Sequence, residues 1–394
     1  ESNILKLIKP LFLDELWTEF ESIKGNKNKL PEFHKKISQL KFLDPACGCG
    51  NFLVITYREL RLLELEILRA QYKNQYVTEI ESIIWLNVDM MYGIEYEEFP
   101  ARIAEVAMWL IDHQMNMLIS NEFGQYFARL PLKKSAKIVH GDALEVNWEE
   151  VVAKNQLSYI IGNPPFIGSK IMNQFQRDSI AREFENIQGS GVLDYVTGWY
   201  LKAAKYIQNT KIKAAFVSTN SIVQGEQTSI LWGQMINKYG VKIHFAHRTF
   251  KWSNEAKGNA AVFCVIVGFA NFDTNQKRIF EYEDIKGEAH ELKVKNINPY
   301  LVDAKDILIE KKSNPICNVP KMSFGNMPLD GGNLILSDEE KEHFLSIEPL
   351  SKKYILPLIS AFEFLNGKKR WCIWLVDIEP NELKQLPEVL KRVE

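Results

Sequence analysis

An Asn-Pro-Pro-Phe motif at residues 163–166 has the most specific chemistry in this sequence. Pro164 and Pro165 lack a backbone N–H and restrict the loop, so the backbone groups it offers are mainly acceptors. The side-chain oxygen of Asn163 and the carbonyl oxygen of Pro164 can both accept hydrogen bonds from one exocyclic amino group, and Phe166 can stack on the ring that carries it. The motif therefore predicts a site that prepares an aromatic amine to attack an electrophilic methyl group. The alternative is a rigid surface turn.

A second motif, Asp44-Pro45-Ala46-Cys47-Gly48-Cys49-Gly50-Asn51, lies between a strand pattern and a helix pattern. Its two glycines let the backbone approach a ligand closely, and the start of the helix offers free N–H groups. A dinucleotide fingerprint would need a third glycine where Leu53 stands, and a phosphate P-loop would need Gly-Lys-Ser/Thr. The turn therefore predicts a cofactor loop of another kind, with a plain strand-to-helix turn as the alternative.

Two further acids follow the next strand patterns along the chain. Glu95 can accept hydrogen bonds from both hydroxyls of a ribose, and Asp142 can accept one from an adenine amino group. Each acid alone is equally compatible with a charge or cap at a helix N-terminus. Together with Asp44, acids at three successive strand ends favour a nucleoside-binding site.

Strand and helix patterns alternate around these motifs. Strands are predicted at 41–44, 91–95, 137–140, 157–161, 213–217, 242–250 and 260–269, and helices at 4–20, 51–72, 100–115, 194–208 and 228–239. This alternation predicts an α/β fold with a mostly parallel sheet and helices on both faces, in which ligands bind beyond the carboxyl ends of the strands. The pattern changes near residue 272. We therefore predict an N-terminal helical segment over 1–40, a catalytic domain over 41–272 and a smaller α+β segment over 273–394.

The composition is that of a globular protein, with 394 residues of which 46% are hydrophobic and 25% charged. Five cysteines suit a reducing cytosol, and no second cysteine pair stands at ligand spacing, so we expect no metal site. A net charge of -2 argues against a uniformly basic surface that coats nucleic acid but allows a local basic cleft for phosphates. Because the chain starts without Met and stops in a charged helix pattern, we expect it to be part of a longer polypeptide.

The glycine turn and the Asn-Pro-Pro-Phe motif together resemble the S-adenosylmethionine-dependent DNA amino-methyltransferases, specifically the adenine-N6 branch. The closer resemblance is to the methyltransferase portion of single-chain type IIL restriction–modification enzymes, supported by the stretches 4–16, 193–200, 216–227 and 247–268. It implies a class I methyltransferase (Rossmann-like) fold, S-adenosylmethionine as the cofactor, and transfer of its methyl group to a flipped adenine in specific double-stranded DNA. It also implies a bacterial or archaeal cytoplasmic protein associated with the nucleoid.

The resemblance also implies roles for single residues. The cofactor would be bound by the turn and by the acids with their neighbours: Asp44, Pro45, Ala46, Gly48, Gly50, Asn51, Glu95, Tyr96, Asp142 and Ala143. Catalysis would fall to Asn163, Pro164, Pro165 and Phe166, and the segment 4–13 would fold against the methionine part of the cofactor. A second aromatic ring would stack on the target adenine, and either Phe250 or Trp252 fits that role.

The segment beyond residue 272 stands where relatives carry target recognition. The cluster Lys368, Lys369 and Arg370 beside Trp371 suits contact with DNA phosphates, although a solvated hairpin turn is an equal alternative. We expect the recognition domain to be incomplete and the nuclease to lie elsewhere in the same polypeptide.

Other activities leave different signatures. Methylation of cytosine C5 would require a nucleophilic cysteine, typically after proline, and no Pro-Cys dipeptide occurs. Two alternatives stay open: a protein glutamine or RNA N-methyltransferase, which also uses Asn-Pro-Pro-aromatic, and a non-catalytic DNA-binding fragment.

Overall fold

The computed structural model describes residues 1–72, 79–124, 135–252, 262–284, 287–321, 325 and 330–393, without the side chain of Trp252. The chain forms two compact units, Glu1–Lys311 and Lys312–Glu394.

The first unit is built on a nine-stranded sheet. Its strands are β1 (Phe42–Asp44), β2 (Met91–Glu95), β3 (Lys137–His140), β4 (Tyr159–Gly162), β5 (Lys213–Thr219), β6 (Lys242–Trp252), β7 (Val262–Ala270), β8 (Lys277–Tyr282) and β9 (Ala289–Val294). The spatial order is β3-β2-β1-β4-β5-β7-β6-β8-β9. Strands β1 to β5 pair in parallel, β7 is antiparallel to both of its neighbours, and β8 is parallel to β6. The carboxyl ends of β1, β2, β3 and β4 therefore meet at one edge.

Helices cover both faces of this sheet. They are α1 (Ser2–Ile8), α2 (Asp14–Ile23), α3 (Leu30–Ser38), α4 (Asn51–Gln71), α5 (Ile80–Ile83), α6 (Glu98–Phe123), α7 (Trp148–Val151), α8 (Gln174–Glu183), α9 (Thr197–Tyr206) and α10 (Gly225–Trp232). A wider π-helical turn, Lys9–Leu13, separates α1 from α2 at Pro10, whose missing N–H interrupts the regular hydrogen-bond ladder.

Alternate side chains of the central strands enter two different hydrophobic clusters. Leu43 of β1 and Ile160 of β4 pack with helices α7 to α10 on one face. Their neighbours Phe42 and Ile161 pack with α1 to α4 and α6 on the other. Because strand side chains alternate between faces, burial on both sides requires nearly continuous apolar strands, as the sequence has here.

The predicted α/β class, with its mostly parallel sheet and two helical layers, is confirmed. The sequence did not indicate α3, α8, β8 or β9. Strands β8 and β9 extend the same sheet, and the first compact unit runs to Lys311.

The second unit is a small α+β body. An antiparallel sheet of order β10-β12-β11 comprises β10 (Ile335–Ser337), β11 (Ile355–Leu358) and β12 (Arg370–Ile373). Its helices are α11 (Asp338–Ile347), α12 (Ala361–Asn366), α13 (Pro380–Leu383) and α14 (Pro387–Val393). Its buried centre contains Leu336, Phe344, Ile373 and Val389.

None of the helices in the described ranges is long and apolar enough to cross a membrane.

Candidate active site

The glycine turn connects β1 to α4 at the carboxyl edge of the sheet, where helix α6 packs against it. Gly48 and Gly50 both adopt positive φ, at 53° and 84°, a conformation that favours glycine. A side-chain β-carbon at position 50 would lie 3.1 Å from Cβ of Ala104, so α6 packs closely on the turn. The turn is fixed to β2 because the amide of Cys47 donates to the carbonyl of Ile94 over 3.1 Å.

Asp44 ends β1 as a buried acid, with only 1% of its surface exposed. Its Oδ1 accepts a hydrogen bond from the amide of Ala46 over 3.0 Å. Its Oδ2 accepts none from the residues that the structure describes. Burial raises the pKa of Asp44 to about 8; the Ala46 hydrogen bond opposes this shift, and the nearby Glu95 carboxylate adds to it.

Glu95 at the end of β2 connects three neighbouring loops. Its Oε2 accepts from the amide of Gly48 over 2.8 Å, and its Oε1 accepts from the amide of Glu97 over 3.0 Å. Its backbone carbonyl accepts from the amide of Gly141, beyond β3, over 2.8 Å. The carboxylate is therefore held in one orientation by backbone donors.

Asp142 and Asn163 each carry a buried acceptor at the same edge. Oδ1 of Asp142 accepts from the amide of Leu144 over 2.8 Å. Oδ2 of Asp142 and Oδ1 of Asn163 are both buried and have no hydrogen-bond partner within the described ranges. Unpaired buried acceptors are unfavourable in a folded protein unless a ligand supplies the donors, so these two atoms indicate a binding site.

These residues surround a pocket of about 410 Å³. Its lining includes nine of the predicted site residues: Pro45, Ala46, Gly48, Glu95, Tyr96, Asp142, Ala143, Asn163 and Pro165. Ile94 also lines it, and the ring of Tyr96 is 62% exposed. Among the described residues, no cluster of three or more His, Cys, Asp or Glu side chains could hold a metal ion.

Five other predicted site residues lie around the pocket without lining it: Asp44, Gly50, Asn51, Pro164 and Phe166. Asn51 opens α4 with an exposed side chain, and Pro164 is buried. Phe166 is partly buried and packs against the hydrophobic clusters of both sheet faces.

The pocket has walls that the sequence did not assign. Tyr195 and Trp199 approach from the start of α9, and Asn173, Phe175 and Gln176 come from the start of α8. The indole Nε1 of Trp199 donates to the carbonyl of Pro45 over 2.9 Å, which ties α9 directly to the glycine turn. The aromatic residues in the stretch 193–200 were the sequence feature from which this contact could have been predicted.

The N-terminal helices also support the glycine turn. Leu7 and Leu11, from the segment predicted to fold against the cofactor, share a hydrophobic cluster with Cys47 and Phe52. The segment 4–13 thus packs in the same hydrophobic cluster as the turn, while the residues that line the pocket come from later elements.

Of the two candidate stacking residues, Phe250 is 1% exposed in β6. Its ring stacks on Tyr282 with centroids 5.4 Å apart, and the Lys6 ammonium lies 4.9 Å from its centroid. The side chain of Trp252 lies outside the described residues, so the choice between the two stays a prediction.

In the second unit, the basic cluster precedes and enters β12. Lys368 and Lys369 are exposed, and Lys368 Nζ lies 5.2 Å from the ring centroid of Phe362. Arg370 forms an ion pair with Glu363 over 2.6 Å, so it is less free than the two lysines to contact another molecule.

Comparison with known proteins covers both units. Residues 20–281 match the family "MmeI, DNA-methyltransferase domain", and residues 303–394 match the family "MmeI, target recognition domain". The chain belongs to the MmeI family of DNA methyltransferases. The family resemblance predicted from the glycine turn and the Asn-Pro-Pro-Phe motif is therefore confirmed.

Two known proteins are similar to this chain over nearly its whole length. DNA methyltransferase A of Bacillus subtilis (strain 168) is 39% identical over 394 residues, covering 99% of this chain and 44% of the relative. The solved structure of the type IIL restriction-modification enzyme MmeI in complex with DNA is 54% identical, with a TM-score of 0.93. The matched region covers 100% of this chain and 53% of the chain in the MmeI structure. The chain thus spans about half the length of these relatives.

Proposed function

We propose that this chain transfers a methyl group from S-adenosylmethionine to the N6 amine of an adenine flipped out of a specific duplex DNA sequence. The observation that carries the proposal is that the buried Oδ1 of Asn163, on the pocket wall, has no hydrogen-bond partner among the residues that the structure describes. An exocyclic amine supplies the donor that this atom lacks, and a flipped base can bring such an amine to the pocket. Membership of the MmeI DNA methyltransferase family supports DNA as the acceptor.

The donors of S-adenosylmethionine fit the acceptors of the pocket. The Glu95 carboxylate would hold the ribose hydroxyls, and the unpaired Oδ2 of Asp142 would accept from the adenine amine of the cofactor. Ala46 and Gly48 would leave room for the methionine part, and Tyr96 or Ile94 would pack on the adenine ring. When bound, S-adenosylmethionine supplies an electrophilic methyl group on a sulfonium centre.

The residues of the motif act chiefly by positioning. Asn163 Oδ1 and the carbonyl oxygen of Pro164 accept from the target N6 amine, which keeps the nitrogen lone pair available for in-line attack. Phe166 and a second aromatic ring hold the flipped base between them. The amine attacks the methyl group directly, so the chemistry requires no covalent enzyme intermediate. The amine proton leaves after the transfer.

We propose that residues 1–40 support the cofactor site, that 41–272 carry catalysis and that 273–394 contribute to target recognition. Of the last segment, residues 273–311 belong to the first compact unit and residues 312–394 form the second. In the recognition segment, exposed Lys368 and Lys369 are the proposed contacts to DNA phosphates, with Arg370 beside them. Because the relatives are about twice as long, we propose that the remaining recognition elements and a nuclease belong to the same restriction–modification polypeptide.

Methyl transfer from labelled S-adenosylmethionine to unmethylated genomic DNA tests this function. RNA and a protein mixture serve as competing acceptors in parallel reactions. Label in DNA that disappears in Asn163→Ala but persists in Asn155→Ala, a matched change at an exposed turn before β4, supports the proposal. Label in RNA or protein with none in DNA contradicts it. Cofactor binding without transfer to any acceptor would favour a non-catalytic DNA-binding fragment.

A further inference from the structure

The loop that carries the Asn-Pro-Pro-Phe motif is fastened just beyond the motif. The amide of Tyr195 donates to the carbonyl of Ile167 over 2.9 Å. The amide of Ser169 donates to Oδ1 of Asp194 over 3.0 Å. Two consecutive residues before α9 therefore hold the backbone at positions four and six residues after Asn163.

Asp194 is in turn hydrogen-bonded by two residues that follow β5 in the chain. Ser221 Oγ donates to Oδ2 of Asp194 over 2.6 Å, and the Asp194 amide donates to Oε1 of Gln227 over 3.0 Å. Ser221 Oγ also lies 2.7 Å from Thr219 Oγ1 at the end of β5. Both carboxylate oxygens and the backbone amide of Asp194 thus have defined partners, which lie in the loop after β4, in the segment after β5 and in α10.

Asp194 does not line the pocket, whereas Ile167 and Tyr195, which its network holds, both do. Its effect on a bound base must therefore pass through the loop. A displacement of about 1 Å in a reacting group can lower a rate roughly 100-fold, so the orientation of this loop matters to catalysis.

We propose that Asp194 is a positioning residue that fixes the Asn163–Phe166 loop for methyl transfer, with Ser221 orienting its carboxylate. This proposal rests on the proposed methyltransferase function. It gives a role to the stretches 193–200 and 216–227, which carry no role in the chemistry described above.

Three variants separate positioning from general stability. Asp194→Ala removes both acceptors, and Ser221→Ala removes one donor with little change in volume. Asp194→Asn is the conservative rescue, because its amide oxygen can accept from the Ser169 amide while its NH2 group faces Ser221 Oγ. Asp178→Ala, at an exposed position in α8, is the matched control for an aspartate substitution.

The first readout is the rate of methyl transfer to unmethylated genomic DNA, with S-adenosylmethionine affinity measured separately by titration. We expect Asp194→Ala to lower kcat about 100-fold and Ser221→Ala about tenfold, with cofactor Kd changed less than about threefold. Asp194→Asn should recover to within about fivefold of the unsubstituted chain. Unchanged kcat in Asp194→Ala, or equal loss of kcat and cofactor affinity, would overturn the proposal.

The second readout is hydrogen exchange of the Ser169 amide, which does not depend on activity. We expect at least tenfold faster exchange in Asp194→Ala, a near-normal rate in Asp194→Asn and no change in Asp178→Ala. Unchanged Ser169 exchange in Asp194→Ala overturns the positioning role even if the chain is inactive. Absence of methyl transfer by the unsubstituted chain instead contradicts the proposed function, so the two failures are distinguishable.

Discussion

The carboxylate of Glu95 accepts a hydrogen bond from the amide of Gly48 over 2.8 Å and so joins the end of β2 to the glycine turn after β1. One side chain thereby does two things: it fixes the turn on one side and presents an acid to the pocket on the other. The ribose-binding role proposed for Glu95 consequently depends on the same contact that fixes the glycine turn.

Glu95→Ala should weaken S-adenosylmethionine binding about tenfold to 100-fold. It removes charged acceptors for the ribose hydroxyls and leaves the Gly48 amide without its partner, and hydrogen bonds to charged groups contribute roughly 1.5–3 kcal/mol each. Isothermal titration of the cofactor measures the change. Glu98→Ala, an exposed acid three residues later, is the control and should bind normally. Equal affinity for Glu95→Ala and Glu98→Ala would refute the assignment.

Gly162→Ala should displace the buried side chain of Asp44 at the site. An added β-carbon would stand 2.7 Å from Oδ1 of Asp44, a short buried side chain that has little room to move. We expect a loss of about 1–3 kcal/mol in the free energy of unfolding, together with reduced methyl transfer. Gly191→Ala has open space around the new methyl group and should remain within about 0.5 kcal/mol of the unsubstituted chain. Denaturant unfolding of both variants checks this, and equal stabilities would contradict the predicted clash.

Stability should depend on pH through Asp44. Its pKa is about 8 in the folded protein against an ordinary value of 3.8, so the folded state retains a proton that the unfolded chain releases between these values. This contribution to stability is complete below about pH 3.8 and is lost as the pH rises through about 8, with a slope of up to about 1.4 kcal/mol per pH unit.

Asp44→Asn removes this dependence while keeping a side chain of similar shape. The stability of this variant relative to the unsubstituted chain should therefore increase from pH 5 to pH 8. Urea unfolding at several pH values measures the difference, and Asp178→Asn serves as the exposed control. A difference between Asp44→Asn and the unsubstituted chain that stays constant with pH would show that Asp44 titrates normally.

Asn163→Ala should separate catalysis from cofactor binding. Removing the amide oxygen eliminates one acceptor for the target amine. Loss of one hydrogen-bonding group that positions the reacting atoms typically lowers kcat about 100- to 1,000-fold. Affinity for S-adenosylmethionine should change less than about threefold. Single-turnover kinetics and cofactor titration give the two quantities, with Asn155→Ala as control. Parallel losses of rate and affinity would show that Asn163 belongs to the cofactor site instead.

The sheet edge was predictable because each candidate site residue ends an apolar strand or directly follows one. Asp44, Glu95 and Asn163 could thus be placed together from the order of strands alone. The helix α8 and strands β8 and β9 escaped prediction because they are polar and partly exposed, so their periodicity is weak. The Asp194 network could not be foreseen, since its partners at Ser169, Ser221 and Gln227 meet only through tertiary packing.

The choice between Phe250 and Trp252 shows a different limit. The two residues stand two positions apart in the same predicted strand, so sequence periodicity cannot distinguish them. Packing buries Phe250 against Tyr282 and beneath Lys6, a contact that joins residues separated by more than 240 positions in the chain.

Identification of the methylated base is the most direct measurement of the central claim. DNA modified by the chain with labelled S-adenosylmethionine is digested to nucleosides and separated by chromatography with mass detection. The proposed function predicts that the label is in N6-methyldeoxyadenosine and that Asn163→Ala abolishes this product. Label in 5-methyldeoxycytidine or N4-methyldeoxycytidine, with none in N6-methyldeoxyadenosine, would contradict it.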